Sequence, residues 1–191
     1  GVQTCALPIY AFLIGLGSIE GERVVVRQYA MRDYDEEPAQ LDAVASQLRR
    51  HDAIVTYNGK SFDAPLVETR YMAALRSPAP LPALHFDLLH PVRRLTRGYL
   101  ERCALTDIEL TILRYARQDD LPSWMIPSVY FRYVREGDAR LLGGVLEHNR
   151  DDILSLMALA GWLGRLYAFP SDHAPHPDMM IRVADTYVAL G

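Results

Sequence analysis

Residues 53–57, AIVTY, constrain this chain more than any other stretch: a short run of apolar, β-branched and aromatic residues broken only by Thr56, with a helix-periodic segment on either side. A strand without polar alternation is one covered on both faces, which happens where helices pack against both sides of a sheet. Upstream, residues 38–50 carry Leu41, Val44, Ala45 and Leu48 at helical spacing. Downstream, a turn at Asn58-Gly59-Lys60 and an N-cap at Ser61 lead into residues 62–75, with Phe62, Leu66, Tyr71, Met72 and Leu75 on the helical pattern. Before this unit, residues 10–17 (YAFLIGLG) and 23–30 (RVVVRQYA) predict a hairpin turning at 18–22. After the proline-rich residues 77–83, LHFDL at 84–88 predicts another strand. From Leu105 the pattern is helical, with turns near 121–122, 126–127 and 137–138 and a helix-rich stretch over 139–167. The expected class is α/β, with strands early and helices late.

Half of the 191 residues are hydrophobic, enough for one substantial core. No apolar run approaches the roughly 20 residues that cross a bilayer, and no basic segment precedes an apolar one, so a soluble, cytoplasmic protein is expected, with no membrane partner. Cys5 and Cys103 stand in unrelated contexts, which excludes a disulfide framework and a paired-thiolate metal site. A net charge of -4 excludes a uniformly basic coat but leaves room for a local basic path beside a carboxylate-lined site. Residues 168–178 (AFPSDHAPHPD) read as a linker. Residues 179–191 (MMIRVADTYVALG) resemble the first helix of a tetratricopeptide-type repeat, a surface for a protein partner.

Chemistry gathers in residues 146–156, LEHNRDDILSL. At 3.6 residues per turn, Val145, Asn149, Asp152, Ile153, Leu156, Ala160 and Leu163 share one face, and Glu147, Arg150 and Asp151 fall toward the other. A carboxylate in an apolar stripe is costly unless it is paired, hydrogen-bonded or coordinated, so Asp152 calls for a metal or a basic partner. His148, one helical turn earlier, reaches the same side. The pattern alone fits equally an Asp152–arginine pair with His148 rimming the core. Asp63 follows a buried strand and an Asn-Gly turn, where α/β sites are commonly built. An acid in a helix's first turn is also favoured by the dipole, by about 0.3–1 kcal/mol, and then needs no function.

Taken together these segments resemble the DnaQ-like exonucleases of the ribonuclease H fold, and among them the YprB-type ribonuclease H-like domains. The resemblance runs over roughly residues 10–166 and rests on four matches in order: YAFLIGLG, Asn58-x-x-x-Phe62-Asp63, His85-x-Asp87-Leu88-Leu89, and His148-Asn149-x-x-Asp152. It implies a ribonuclease H-like mixed sheet flanked by helices, and a metal-dependent nuclease, 3′–5′ exonuclease-like, acting on DNA or RNA. By that likeness Asp63 and Asp152 are the second and third carboxylates of a two-ion Mg²⁺ or Mn²⁺ site, where paired ions activate a water and steady the leaving oxygen. His148 takes the place of the Tyr or His that positions the attacking water, at the Tyr-type spacing from Asp152. Candidate nucleic-acid contacts are Asn58, Lys60, Phe62, Asn149, and Arg93 and Arg94 from a cluster that includes Arg97 and Arg102. Asp87 is an auxiliary residue that orients its neighbours or assists the site.

The family's first motif, an Asp-x-Glu on the opening strand, is missing. Residues 1–9 (GVQTCALPI) contain no acid and resemble a translated sequencing adaptor, so they are expected to be a non-native leader, with the native protein extending upstream. A fold truncated at its first strand and an inactive fragment are the expectations that follow. A non-catalytic module that binds nucleic acid or protein is the alternative.

Overall fold

A computed structural model of the chain describes residues 2–5, 10–118 and 120–190. The expected hairpin is present as β2 (Leu13–Glu20) and β3 (Arg23–Ala30), antiparallel, with Leu13 opposite Ala30 and Glu20 opposite Arg23. Gly21 sits in its turn at φ 62°, a left-handed conformation that a glycine takes without steric cost. On the other edge of β2 lies β1 (Val2–Cys5), also antiparallel, with Val2 opposite Leu16 and Cys5 opposite Leu13. Part of the leader expected to be foreign therefore forms a strand; its residues 1 and 6–9 lie outside the described residues. The buried strand is β4 (Ala53–Thr56), paired in parallel with β5 (Leu84–Asp87). β1 lies against β4, which brings the antiparallel and parallel sheets together into one mixed α/β arrangement.

Helices cover both faces. On one, α1 (Glu37–Leu48) and α2 (Asp63–Leu75) bury Leu41, Val44, Val67 and Tyr71 against Ala11, Ile14 and Ile54. The Arg70–Glu37 pair at 2.6 Å ties the two helices together, both side chains being nearly buried. α2 begins one residue later than a Ser61 cap would give, because the chain first closes a tight turn, with the Ala64 N–H donating to the Gly59 carbonyl at 2.8 Å. α3 (Leu89–Thr96) and α4 (Leu105–Ile108) follow β5, and a wider helical turn, Glu109–Leu113, continues α4.

On the opposite face stand α5 (Ile126–Glu136) and the long α6 (Leu142–Ala168). Phe12 stacks on Tyr130 there at 4.1 Å between centroids, and Val129 and Val145 close the same cluster. Two glycines of YAFLIGLG let α6 cross β2 closely. A Cβ on Gly15 would stand 2.4 Å from Asn149 Oδ1, and one on Gly17 would stand 2.5 Å from Ile153 Cγ2. The face of α6 expected from periodicity is the face the structure buries.

The C-terminal region departs from the linker reading. α6 runs on to Ala168, a short α7 (Pro170–His173) follows, and α8 (Pro177–Leu190) folds back against α3. Pro170 and Pro177 open helices, as a residue without an N–H can at a first turn, where they had suggested an extended connection. Val183 of α8 enters the core shared by α3 and α6, and the Arg182 guanidinium donates to the Leu95 carbonyl at 2.9 Å. Among the described residues no helix is long and apolar enough to cross a membrane.

Candidate functional site

α6 presents His148 and Asp152 one turn apart, both buried, toward a connector between the Glu109–Leu113 turn and α5. From that connector Arg117 reaches inward. Its Nη2 donates to Asp152 Oδ1 at 2.6 Å and to Glu109 Oε1 at 2.5 Å, and its Nε donates to Glu109 Oε2 at 2.8 Å. Nη1 lies 3.4 Å from Asp120 Oδ2. The Arg117 side chain is only 5% exposed and that of Glu109 2%, so these charges face each other with little water between them. Burial works against the guanidinium's charge, but the hydrogen bonds to Glu109 and Asp152 outweigh it and hold Arg117 above its ordinary pKa. The Asp152 pKa is raised as well, here because burial disfavours the charged carboxylate, and His148 and Arg117 offset only part of that.

His148 Nδ1 is 2.7 Å from Asp120 Oδ1, a geometry that places the ring proton on Nδ1. Nε2 then accepts from Ser123 Oγ at 3.4 Å and stands 3.6 Å from Asp152 Oδ2. A cleft of about 320 Å³ opens beside these groups, lined by Thr4, Tyr57, Ser123, His148 and Asp152 among others.

Asp63 opens α2 and is buried, its Oδ1 accepting from the Thr4 backbone N–H at 3.1 Å and from Thr4 Oγ1 at 2.5 Å. Burial raises its pKa above the ordinary value, the Thr4 hydrogen bonds oppose this, and the negative charge of Asp152 adds to the rise. The charge of Asp152 on α6 thus reaches Asp63 on α2, whose partner Thr4 lines the cleft with Asp152.

The turn ahead of Asp63 is held by Asp87 at the end of β5. Its carboxylate accepts from the backbone N–H groups of Asn58 at 2.7 Å, Lys60 at 3.0 Å and Leu89 at 3.1 Å. Asn58 takes φ 62°, a conformation asparagine tolerates better than most residues, and a Cβ on Gly59 would stand 2.5 Å from Thr56 Cβ. Asp87 thus orients its neighbours through three backbone bonds. Lys60 is exposed beside the turn, and the Phe62 ring is 67% exposed. Arg93 is exposed on α3, close enough to Tyr57 for its charge to act on that phenol, whereas Arg94 reaches Thr186 of α8 at 3.4 Å.

Asn149 requires correction as a nucleic-acid contact. It is 0% exposed, packs against Gly15, and accepts from Gln28 Nε2 at 2.9 Å, so it fastens α6 to the hairpin. Its place on the buried stripe was readable, but the stripe faces the sheet at that level and the cleft only at His148 and Asp152. Sequence reasoning also missed Arg117, Glu109, Asp120 and Thr4. A basic partner for Asp152 was one of the open readings, yet no periodic pattern marks the connector that supplies it.

The donor set does not fit a divalent ion. Asp63 and Asp152 each already give an oxygen to a hydrogen bond, and Asp152 has a guanidinium against it. Among the described residues no group of three or more His, Cys, Asp or Glu side chains could hold a metal. The residues present do not complete such a site.

Comparison with known proteins gives two findings. A family model described as RNase_H superfamily matches residues 6–164. The "Uncharacterized protein YprB" of Bacillus subtilis (strain 168) is 37% identical over 149 residues, covering 78% of this chain and 36% of that protein. The chain thus spans about a third of the length of this curated relative. Divalent metals are in common use in the ribonuclease H-like fold, and nucleic acid is its usual partner.

Proposed function

Since the chain belongs to the ribonuclease H superfamily and forms a YprB-type ribonuclease H-like domain, we propose that it is a nuclease-type domain that takes the ends of DNA or RNA into the cleft beside Asp152. In this reading the chemistry of the site is that of a metal-dependent, exonuclease-like hydrolase, and this chain, with its acid set incomplete, binds nucleic acid without cutting it. The observation that carries the proposal is the approach of two buried acids from α2 and α6, Asp152 lying near enough for its charge to raise the proton affinity of Asp63, beside an open cleft lined by Asp152 and by Thr4, the hydrogen-bond partner of Asp63.

Each remaining residue has a role of its own chemical kind. Lys60 and Arg93, exposed near the Asp87-clamped turn and Tyr57, neutralise phosphates, with Arg94 a weaker contributor because it is engaged with α8. Phe62 offers a ring for an unpaired base to stack on, and Asn58 holds the turn that presents both Lys60 and Phe62. His148, oriented by Asp120, presents Nε2 beside the cleft as a proton acceptor. Asp63 and Asp152 are the acids around which the family's chemistry is arranged, and Mg²⁺ or Mn²⁺ is the group that supplies that chemistry where the acid set is complete.

The test is fluorescence anisotropy with labelled single- and double-stranded DNA and RNA across a salt series. We expect binding that weakens with salt, and Phe62→Ala to weaken it by about tenfold, in the range of one base–aromatic stack. Incubation with Mn²⁺ should give no cleavage above that of Asp152→Asn. Absence of binding to every end at low salt would reject the proposal. A second reading, a protein-contact role for α8 as the first helix of a repeat, is favoured by its exposed Ile181, Tyr187 and Val188. Capture of a folded partner that Val188→Glu abolishes would support it.

A further inference from the structure

We infer that Arg117 is a built-in counter-cation at Asp152, filling by intramolecular charge the place that a divalent ion would need and closing the site to metal while it stays there. The inference rests on Asp152 as the acid of the site but not on nucleic-acid binding.

The geometry is that of a charge fully engaged by its own chain. The planar fork of Arg117 meets Glu109 through two nitrogens, at 2.8 and 2.5 Å, and shares Nη2 with Asp152 at 2.6 Å. Nη1 is 3.4 Å from both Asp120 Oδ2 and His148 Nδ1. Three carboxylates from three separate segments thus converge on one buried cation. Carboxylate oxygens are the donors a hard divalent ion seeks, and here a guanidinium stands among them, so that with Arg117 in place they form no metal site. A surface arginine would exchange its partners with water. This one, 5% exposed, cannot leave without stranding Glu109 and Asp152 as uncompensated buried charges. Retention of Arg117 and capture of a metal are therefore competing ways to satisfy the same acids.

The experiment measures Mn²⁺ alone, without nucleic acid, by the loss of its free aqueous paramagnetic resonance signal and by the melting temperature of the full chain. The unaltered chain should leave the Mn²⁺ signal and its own melting temperature unchanged at millimolar metal. Arg117→Met should melt lower without metal, regain several degrees on Mn²⁺ addition, and bind the ion at least about tenfold more tightly than the unaltered chain. Adding Asp152→Asn to that variant should abolish the gain. If Arg117→Met does not fold, Arg117→Gln with Glu109→Gln removes one buried charge of each sign and takes the same readout. Two results overturn the inference: tight Mn²⁺ binding by the unaltered chain that Asp152→Asn abolishes, or no gain of binding in the arginine variants. Because no nucleic acid is present, failure here leaves the binding proposal to its own test.

Discussion

A buried carboxylate costs free energy that its neighbours must offset, and Asp63 and Asp152 are offset by different means. Asp63 relies on two hydrogen bonds from Thr4, neither of them charged, so desolvation and the nearby charge of Asp152 leave its pKa above the ordinary 3.8. A raised carboxylate pKa means that the folded state binds the proton more tightly than the unfolded one. Its stabilising effect is present below 3.8 and is lost as pH rises through the folded value. Asp63→Asn, which keeps an oxygen for Thr4, should therefore raise the melting temperature at pH 7 and change it less at acid pH; equal shifts at both would count against this. Asp152 relies on a full charge, and Arg117→Ala should cost about 3–5 kcal/mol in urea unfolding by stranding two buried acids. Asp152 was legible in the sequence because a polar residue interrupts an apolar helical stripe. Arg117 was not, since an arginine in an aperiodic connector looks like any solvated one until the fold brings Glu109 and Asp152 to it.

At the scale of elements, the crossing of α6 over β2 sets the site's height above the sheet. Gly15→Ala should cost about 1–3 kcal/mol, because the added carbon has 2.4 Å to Asn149 Oδ1 and 3.1 Å to its Cγ, with the amide held on Gln28. Gly164→Ala in α6 meets nothing within 4 Å and should stabilise by about 0.5–1 kcal/mol, so thermal melts of the two variants contrast a glycine held by close approach in β2 with one that is free to be replaced in the helix. The hairpin, α1 and α2 were readable from period and turn chemistry. Helix starts were less so: the cap expected at Ser61 gave way to the Asp87-clamped turn, and prolines that suggested a linker open α7 and α8. In each case a tertiary contact, invisible to local propensity, decided the boundary.

For the whole molecule, the adjoining antiparallel and parallel sheets carry α1 and α2 on one face and α5 and α6 on the other, while α8 closes the end that α3 and α6 share. Val183→Asp should then lower the melting temperature of the entire chain in one transition, since its side chain belongs to that core; an unchanged melt would mean that α8 is peripheral. Fold class and the acids Asp63 and Asp152 could be read from segments far apart in sequence, but their approach depends on β1, which packs against both α2 and α6 and holds Asp63 through Thr4. The measurement that tests that convergence most directly is the carboxyl-carbon NMR titration of Asp63 in the unaltered chain and in Asp152→Asn. Removing the neighbouring negative charge should lower the Asp63 pKa. An Asp63 titration that does not move would mean that the two acids do not share a site.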